Sequence, residues 1–268
     1  TSDCPNHRRL RRESSFACVE DGSVDGLEFV SVPMAGNSGV HELKTLTEFA
    51  RTNEWKVNSA CGLHVHLDAQ DLSEEQMFKV AWAYLLTYDL WSSFIPESRK
   101  NNYYCAKHFY APETLDNYTN FERWVREVVN GERYCWINFG AYLAHGTIEL
   151  RNHTASLNKS KILNWVRAHT RFIDTVSDMS MGEIMDKFNG TTEKQKFAAV
   201  SDTWGSGYLT EWYKTRAASF GYDSENILYK RPFQTKIDDK KLTTVQDGGR
   251  KDGSFCEILQ DLDKLIKG

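Results

Sequence analysis

In Gly62-Leu63-His64-Val65-His66-Leu67-Asp68, apolar and polar residues alternate one for one, and Gly146-Thr147-Ile148-Glu149-Leu150-Arg151 repeats the pattern. A period of two is that of a β-strand, whose successive side chains point to opposite faces. Leu63, Val65 and Leu67 therefore share one face and His64, His66 and Asp68 the other; Ile148 and Leu150 likewise oppose Thr147, Glu149 and Arg151. The polar faces carry metal-ligand side chains and a guanidinium that is always charged, which is the equipment for handling phosphate and a divalent ion.

The chain around these strands has the material for a folded core. Of its 268 residues 40% are hydrophobic and 13% aromatic, enough for one large core or a core with an appendage. A net charge of −4 leaves no footprint for nucleic acid, and the one basic cluster, His7 to Arg12, is short and terminal. No run reaches the roughly 20 apolar residues of a membrane span, and the start resembles neither a signal nor a transit peptide. Six cysteines are scattered without a Cys-x-x-Cys pair, which favours reduced thiols in a cytoplasm over a disulfide framework. The chain begins at Thr1 rather than at a methionine, so an upstream piece is expected.

Local signals divide the chain into a polar, basic leader (1–15), a catalytic domain (16–180) and a C-terminal helical and loop extension (181–268). Phe16 to Val19 and Gly26 to Val32 read as a hairpin about the turn Glu20 to Ser23. Leu43, Leu46 and Phe49-Ala50 predict a helix ending at Asn53. Ser73-Glu74-Glu75-Gln76 is a capping box that opens a helix running to about Phe94. The segment 96–105 reads as a loop, residues 120–130 as a helix, and Tyr134 to Phe139 as a strand. Ile162, Leu163, Val166, Ile173 and Val176 form one helical stripe. Beyond Met181 the periodicity weakens; 232–253 reads as an exposed loop, followed by a short helix near Glu257 to Ile266. Strands and helices intermixed in this way predict an α+β fold, with helices on one side of a mostly antiparallel sheet.

Mg²⁺ takes oxygen ligands and Mn²⁺ accepts an imidazole beside carboxylates, so His64 or His66 with Glu28 and Glu149 suits Mg²⁺ or Mn²⁺ better than structural zinc. A single strand histidine is otherwise a hydrogen-bonded spacer. Glu28 lies between Leu27 and Phe29, where an unpaired carboxylate would be costly to bury, so it calls for a metal, a buried ion pair or a sheet edge open to water. Asp21 fits ordinary turn chemistry as well as metal binding. Glu149 and Arg151, about 6 to 7 Å apart along one strand face, can contact a metal and a phosphate together or form a plain charge ladder. Arg99, Asn101 and Asn102 lie in a loop rich in donors, placed to clamp phosphate or to cap the preceding helix. No Gly-x-x-x-x-Gly-Lys loop, Gly-x-Gly-x-x-Gly turn or Gly-x-Ser-x-Gly elbow occurs.

Cys61 to Asp68, the Pro96-x-Ser98-Arg99 to Asn102 loop, and Gly146 to Arg151 followed by Asn164-Trp165-Val166 together resemble the amidoligase family of glutamine-synthetase-like carboxylate–amine ligases. The resemblance implies a curved antiparallel sheet, bound Mg²⁺ or Mn²⁺, and ATP-driven amide bond formation through an acyl phosphate, joining a carboxylate to an amine on small molecules, peptides or proteins. It also implies metal binding by Glu28, Asp21, His64 or His66, and Glu149, with Arg151 on the transferring phosphoryl group and Arg99 and Asn102 toward the nucleotide. The superfamily's opening Glu-x-Glu strand has no counterpart here, which places that strand upstream of Thr1 or makes the chain a degenerate, non-catalytic binding or assembly protein. His-x-His on a strand also suits a zinc-dependent amide hydrolase.

Overall fold

Gly26 to Ser31 pairs with Phe16 to Asp21 as the hairpin pattern predicts, and this pair opens a computed structural model that describes residues 16–21, 26–100, 102–107, 110–190 and 192–223, with side chains from Glu28 onward. The leader, the 232–253 loop and the helix near residues 257–266 fall outside the described residues. The described residues fall into two compact units, one within residues 16–61 and 156–160, the other within residues 62–155 and 161–223.

In the first unit β1 (Phe16–Asp21) and β2 (Gly26–Ser31) are antiparallel, with Val19 opposite Glu28 and Asp21 opposite Gly26. Helix α1 (Gly36–Thr52) begins well before its first apolar repeat and buries Leu43, Thr47, Phe49 and Ala50. Trp55 packs its ring on Phe49 and Phe29, with centroids 5.5 and 4.6 Å away.

The second unit holds the alternating strands. In chain order it contains β3 (Gly62–Asp68), α2 (Glu74–Leu86), α3 (Tyr88–Ser92), α4 (Glu97–Lys100), α5 (Phe121–Trp124) running into a π turn, β4 (Ile137–Asn138), α6 (Gly140–His145), β5 (Thr147–Thr154), α7 (Lys159–Asp178, whose first two residues belong to the first unit), α8 (Met181–Phe188), α9 (Glu193–Thr203) and α10 (Gly207–Ser219). The predicted capping box forms: the Ser73 hydroxyl accepts from the Gln76 amide and the Gln76 side chain accepts from the Ser73 amide. The helix it opens stops short of Phe94. Thr87 breaks it, its hydroxyl donating to the Ala83 carbonyl and accepting the Trp91 indole N–H, so the backbone turns there and resumes as α3.

The three strands run in the order β3-β5-β4, antiparallel throughout, so β5 is central. The architecture is α+β, with a small sheet among many helices. Helix α7 buries Ile162, Trp165, Ala168, Phe172, Ile173 and Val176 along one face. The residues past 181 are helical despite their weak apolar period: Ile184, Phe188, Phe197, Val200, Trp204 and Tyr213 join the same apolar cluster as Trp91 and Trp165. Two further capping boxes, Ser180 with Glu183 and Thr192 with Gln195, start α8 and α9. Among the described residues no helix is long and apolar enough to cross a membrane.

Gly146 ends α6 and launches β5 in a left-handed conformation, φ 66°, and a Cβ there would collide with Gln70 Cγ. Gly146→Ala is expected to cost about 1 kcal/mol or more, since the site combines a positive φ with no room. Urea unfolding monitored by tryptophan fluorescence reads this directly, and an unchanged midpoint with an unchanged slope would contradict it.

Candidate functional site

Central position and register bring the polar face of β5 between two neighbours. His66 on β3 stands opposite Glu149, and Asn138 on β4 stands opposite the same residue, so three polar side chains form a row across the sheet. Between Leu63 and Val65 the β3–β5 register slips by one residue, placing Arg151 and Asn152 against His64. This bulge has a consequence that strict alternation does not predict. It returns His153, opposite Leu63, to the core face, where it packs 4.9 Å from the Trp165 ring.

Glu149 is the hub. Its Oε1 accepts from Arg151 Nη1 at 2.6 Å, its Oε2 accepts from Asn138 Nδ2 at 2.7 Å, and it is only 5% exposed. His64 Nδ1 and His66 Nε2 each lie 3.6 Å from the same Oε1. Burial alone would raise the carboxyl's pKa; the Asn138 hydrogen bond and the Arg151 charge outweigh it and hold the group below its ordinary value. Burial and the Arg151 charge push His64 down to about 4. His66 is also lowered, by burial first and by His145 and Arg151, against the opposing pull of Glu149. Both imidazoles are therefore neutral near pH 7, beside an ionised carboxylate and a guanidinium. His66 Nδ1 lies 2.9 Å from the Thr147 hydroxyl, which fixes the ring's orientation on the strand.

Part of the segment read as a loop is helical, and α4 supplies a second cation. Arg99 is buried, and its Nη2 donates to the Arg151 carbonyl at 2.6 Å, while a Cβ on Gly62 would lie 3.0 Å from the same nitrogen. Glycine at 62 is what lets the guanidinium lie against β3. Arg151 also donates from Nε to the Tyr104 carbonyl at 3.2 Å, tying the loop to β5. Asn102 serves the loop itself, its Oδ1 accepting from the Tyr104 amide at 2.9 Å. Cys105 is a buried free thiol whose Sγ lies 3.2 Å from the Arg99 carbonyl.

Of the residues singled out from sequence, His64, His66, Glu149, Arg151 and Arg99 thus come together in one unit. Glu28 and Asp21 lie on the hairpin of the other unit, the side chain of Asp21 being outside the description. Glu28 is exposed on β2, which matches the alternative of a sheet edge open to water. Sequence reasoning passed over Asn138, although a lone amide in Trp136-Ile137-Asn138-Phe139 carries the same alternation signal as the histidines.

A model of the family described as putative amidoligase enzyme matches residues 6–173. The chain belongs to this family. No curated protein and no solved structure matches it. The match to the amidoligase family takes in β3, the Arg99 loop and β5, and ends within α7, so α8 to α10 lie beyond it.

The donor kinds needed for a divalent ion, two imidazoles and a carboxylate, lie together on this sheet face. Among the described residues no group of three or more histidine, cysteine, aspartate or glutamate side chains is placed to hold a metal ion. Both oxygens of Glu149 are already engaged by Arg151 and Asn138. What the site holds, as it stands, is two buried guanidiniums and one carboxylate, flanked by two uncharged imidazoles.

Proposed function

We propose that this member of the amidoligase family is an ATP-dependent carboxylate–amine ligase. The supporting observation is the Glu149–Arg151 pair, nine-tenths or more buried and surrounded by His64, His66, Asn138 and Arg99, in a chain whose family model is that of an amidoligase enzyme. In the proposed reaction a substrate carboxylate oxygen attacks the γ-phosphorus of ATP, the bond to the bridging oxygen breaks, and ADP leaves. An amine nitrogen then attacks the acyl carbon, the C–O bond to phosphate breaks, and orthophosphate leaves as the nitrogen gives up a proton. The protein's part is to hold charge in place: Arg151 faces the phosphoryl oxygens, and Glu149 and the Tyr104 carbonyl fix its orientation. Arg99 supports Arg151 through its backbone carbonyl and adds a second positive charge.

The same reading carries Mg²⁺ or Mn²⁺ as companion of the nucleotide, with His64, His66 and Glu149 as the nearest donors, and a sheet of glutamine-synthetase-like type. Free thiols at Cys61, Cys105 and Cys135 support a reducing, cytoplasmic setting. The acid and amine are proposed as small molecules, peptides or proteins bearing those groups.

Hydroxylamine tests the reaction, because it traps an acyl phosphate as a hydroxamate whatever the natural amine is. With ATP, MgCl₂ or MnCl₂, hydroxylamine and a panel of amino acids and dicarboxylates, the chain is expected to release ADP and form hydroxamate only when a carboxylate is present. Arg151→Ala is expected to lower that rate by at least 100-fold, the scale on which one charge-stabilising donor acts. ADP release that ignores the carboxylate, or wild-type turnover in Arg151→Ala, would overturn the assignment.

A further inference from the structure

Two tyrosines contact Arg151, and a third packs on both of them. The Tyr104 carbonyl accepts from its Nε, and its guanidinium carbon lies 5.7 Å from the centre of the Tyr134 ring. The rings of Tyr103, Tyr104 and Tyr134 are mutually 5.3 to 5.5 Å apart between centroids, two of the three pairs edge to face. At that spacing aromatic rings touch, so the cluster encloses no space between them and presents its outer faces. Tyr103 is 72% exposed and Tyr104 42%, in a chain that buries most of its other aromatic rings in the core. An aromatic surface left in water beside a charged site has no use for the core, which has ample rings without it.

The charges around the cluster decide what it fits. Arg133 lies over the Tyr134 ring at 5.0 Å and donates from Nη2 to its hydroxyl. Arg151 stands on the same ring. The nearby carboxylate of Glu132 accepts from the Tyr134 amide at 2.6 Å. Two guanidiniums against tyrosine faces would repel an ammonium group, which excludes the cationic ligand that aromatic clusters otherwise favour. A planar base carrying phosphates satisfies both halves: the base stacks on an exposed ring and the phosphates meet the guanidiniums.

We infer that Tyr103, with Tyr104 and Tyr134 behind it, is the stacking platform for the base of a nucleotide whose phosphates are held at Arg151. This rests on the ligase reading, to which it adds the residues that tell a nucleotide from a bare polyphosphate. Among the described residues the Tyr103 hydroxyl makes no hydrogen bond, and the side chain is largely in water, so its replacement leaves the fold intact.

The test is calorimetric titration of the full chain with ADP and, separately, with inorganic tripolyphosphate. Tyr103→Ala is expected to weaken ADP about tenfold, the usual worth of one base on one aromatic ring, and to leave tripolyphosphate unchanged. Tyr103→Phe is expected to bind ADP as wild type does, since stacking uses the ring face. Equal ADP affinity in Tyr103→Ala, with wild type binding ADP normally, overturns the platform and leaves the ligase reading standing. Equal losses for ADP and tripolyphosphate also overturn it, because the tyrosine would then be acting on the phosphate site. Saturable binding of tetramethylammonium that Tyr103→Ala abolishes assigns the rings to a cation and overturns it as well. Absence of any nucleotide binding to wild type overturns the ligase reading and the platform together.

Discussion

Glu149→Ala is expected to lower the free energy of unfolding by about 3–5 kcal/mol, the range for removing one partner of a buried ion pair. The carboxylate and Arg151 are 5% and 8% exposed, so Arg151 left alone would be a desolvated cation with its Nη1 donor unmet. The neutral imidazoles of His64 and His66 could not replace the lost charge, and Arg99, as a second cation, would worsen the imbalance. The cost belongs to the orphaned charge rather than to the pair, and this has a measurable signature. The double variant Glu149→Ala/Arg151→Ala removes both charges and is expected to lose less than the sum of the two single variants, by about 1–3 kcal/mol. Urea unfolding of the four proteins at one pH closes the cycle; additivity within about 0.5 kcal/mol would show that the pair is not coupled and that the hub does not exist. Activity of the variants belongs below their unfolding midpoints, so that lost chemistry is not confused with lost fold.

The strand alternation was enough to place His64, His66, Glu149 and Arg151 on one sheet face, because period two is a local property of the backbone. The bulge at Arg151 and Asn152 was not legible, since a slipped register depends on what the partner strand does, and so His153 was not seen to turn inward. Arg99 shows the same limit. Its neighbours describe a donor-rich loop, whereas its role comes from the carbonyl of Arg151, 52 residues later. The helices after 181 were legible by a rule already applied once. Ser180-Met181-Gly182-Glu183 and Thr192-Glu193-Lys194-Gln195 are capping boxes of the kind read at Ser73, and both form. Apolar spacing hid α10, whose apolar residues are distributed around the helix rather than along one stripe. Glu28 stayed open for a different reason: flanking apolar residues in a two-stranded hairpin do not decide whether the strand is buried on both faces.

Acidification is expected to unfold this chain in a window set by its buried histidines. Burial and then the Arg216 charge push His153 down to about 3, and burial and then His153 hold the His169 pKa well below its ordinary value of 6.5. Their partners show why protonation is resisted. His153 donates from Nδ1 to the Thr154 carbonyl and accepts at Nε2 from Arg216 Nη2, 2.9 Å away, because a carbonyl cannot donate and a guanidinium cannot accept. A second proton would place two cations face to face in the core. The folded pKa values lie below the unfolded one, so between pH 6.5 and about 3 the unfolded chain takes up protons that the folded chain refuses. The stabilisation is complete above pH 6.5 and is lost progressively as the pH falls toward the folded pKa, with each such histidine contributing a slope of up to about 1.4 kcal/mol per pH unit. His153→Gln, whose amide can still accept from Arg216, is expected to reduce the slope between pH 5.5 and 4 by close to one proton's worth in urea titrations. An unchanged slope would place the titration elsewhere. The consequence reaches the site through β5: Arg216 on α10 donates to both His153 and the Phe94 carbonyl, so it fastens the strand two residues beyond Arg151. Protonating His153 breaks that fastening, and the loss of the fold at low pH carries the geometry of Arg151 and Glu149 with it.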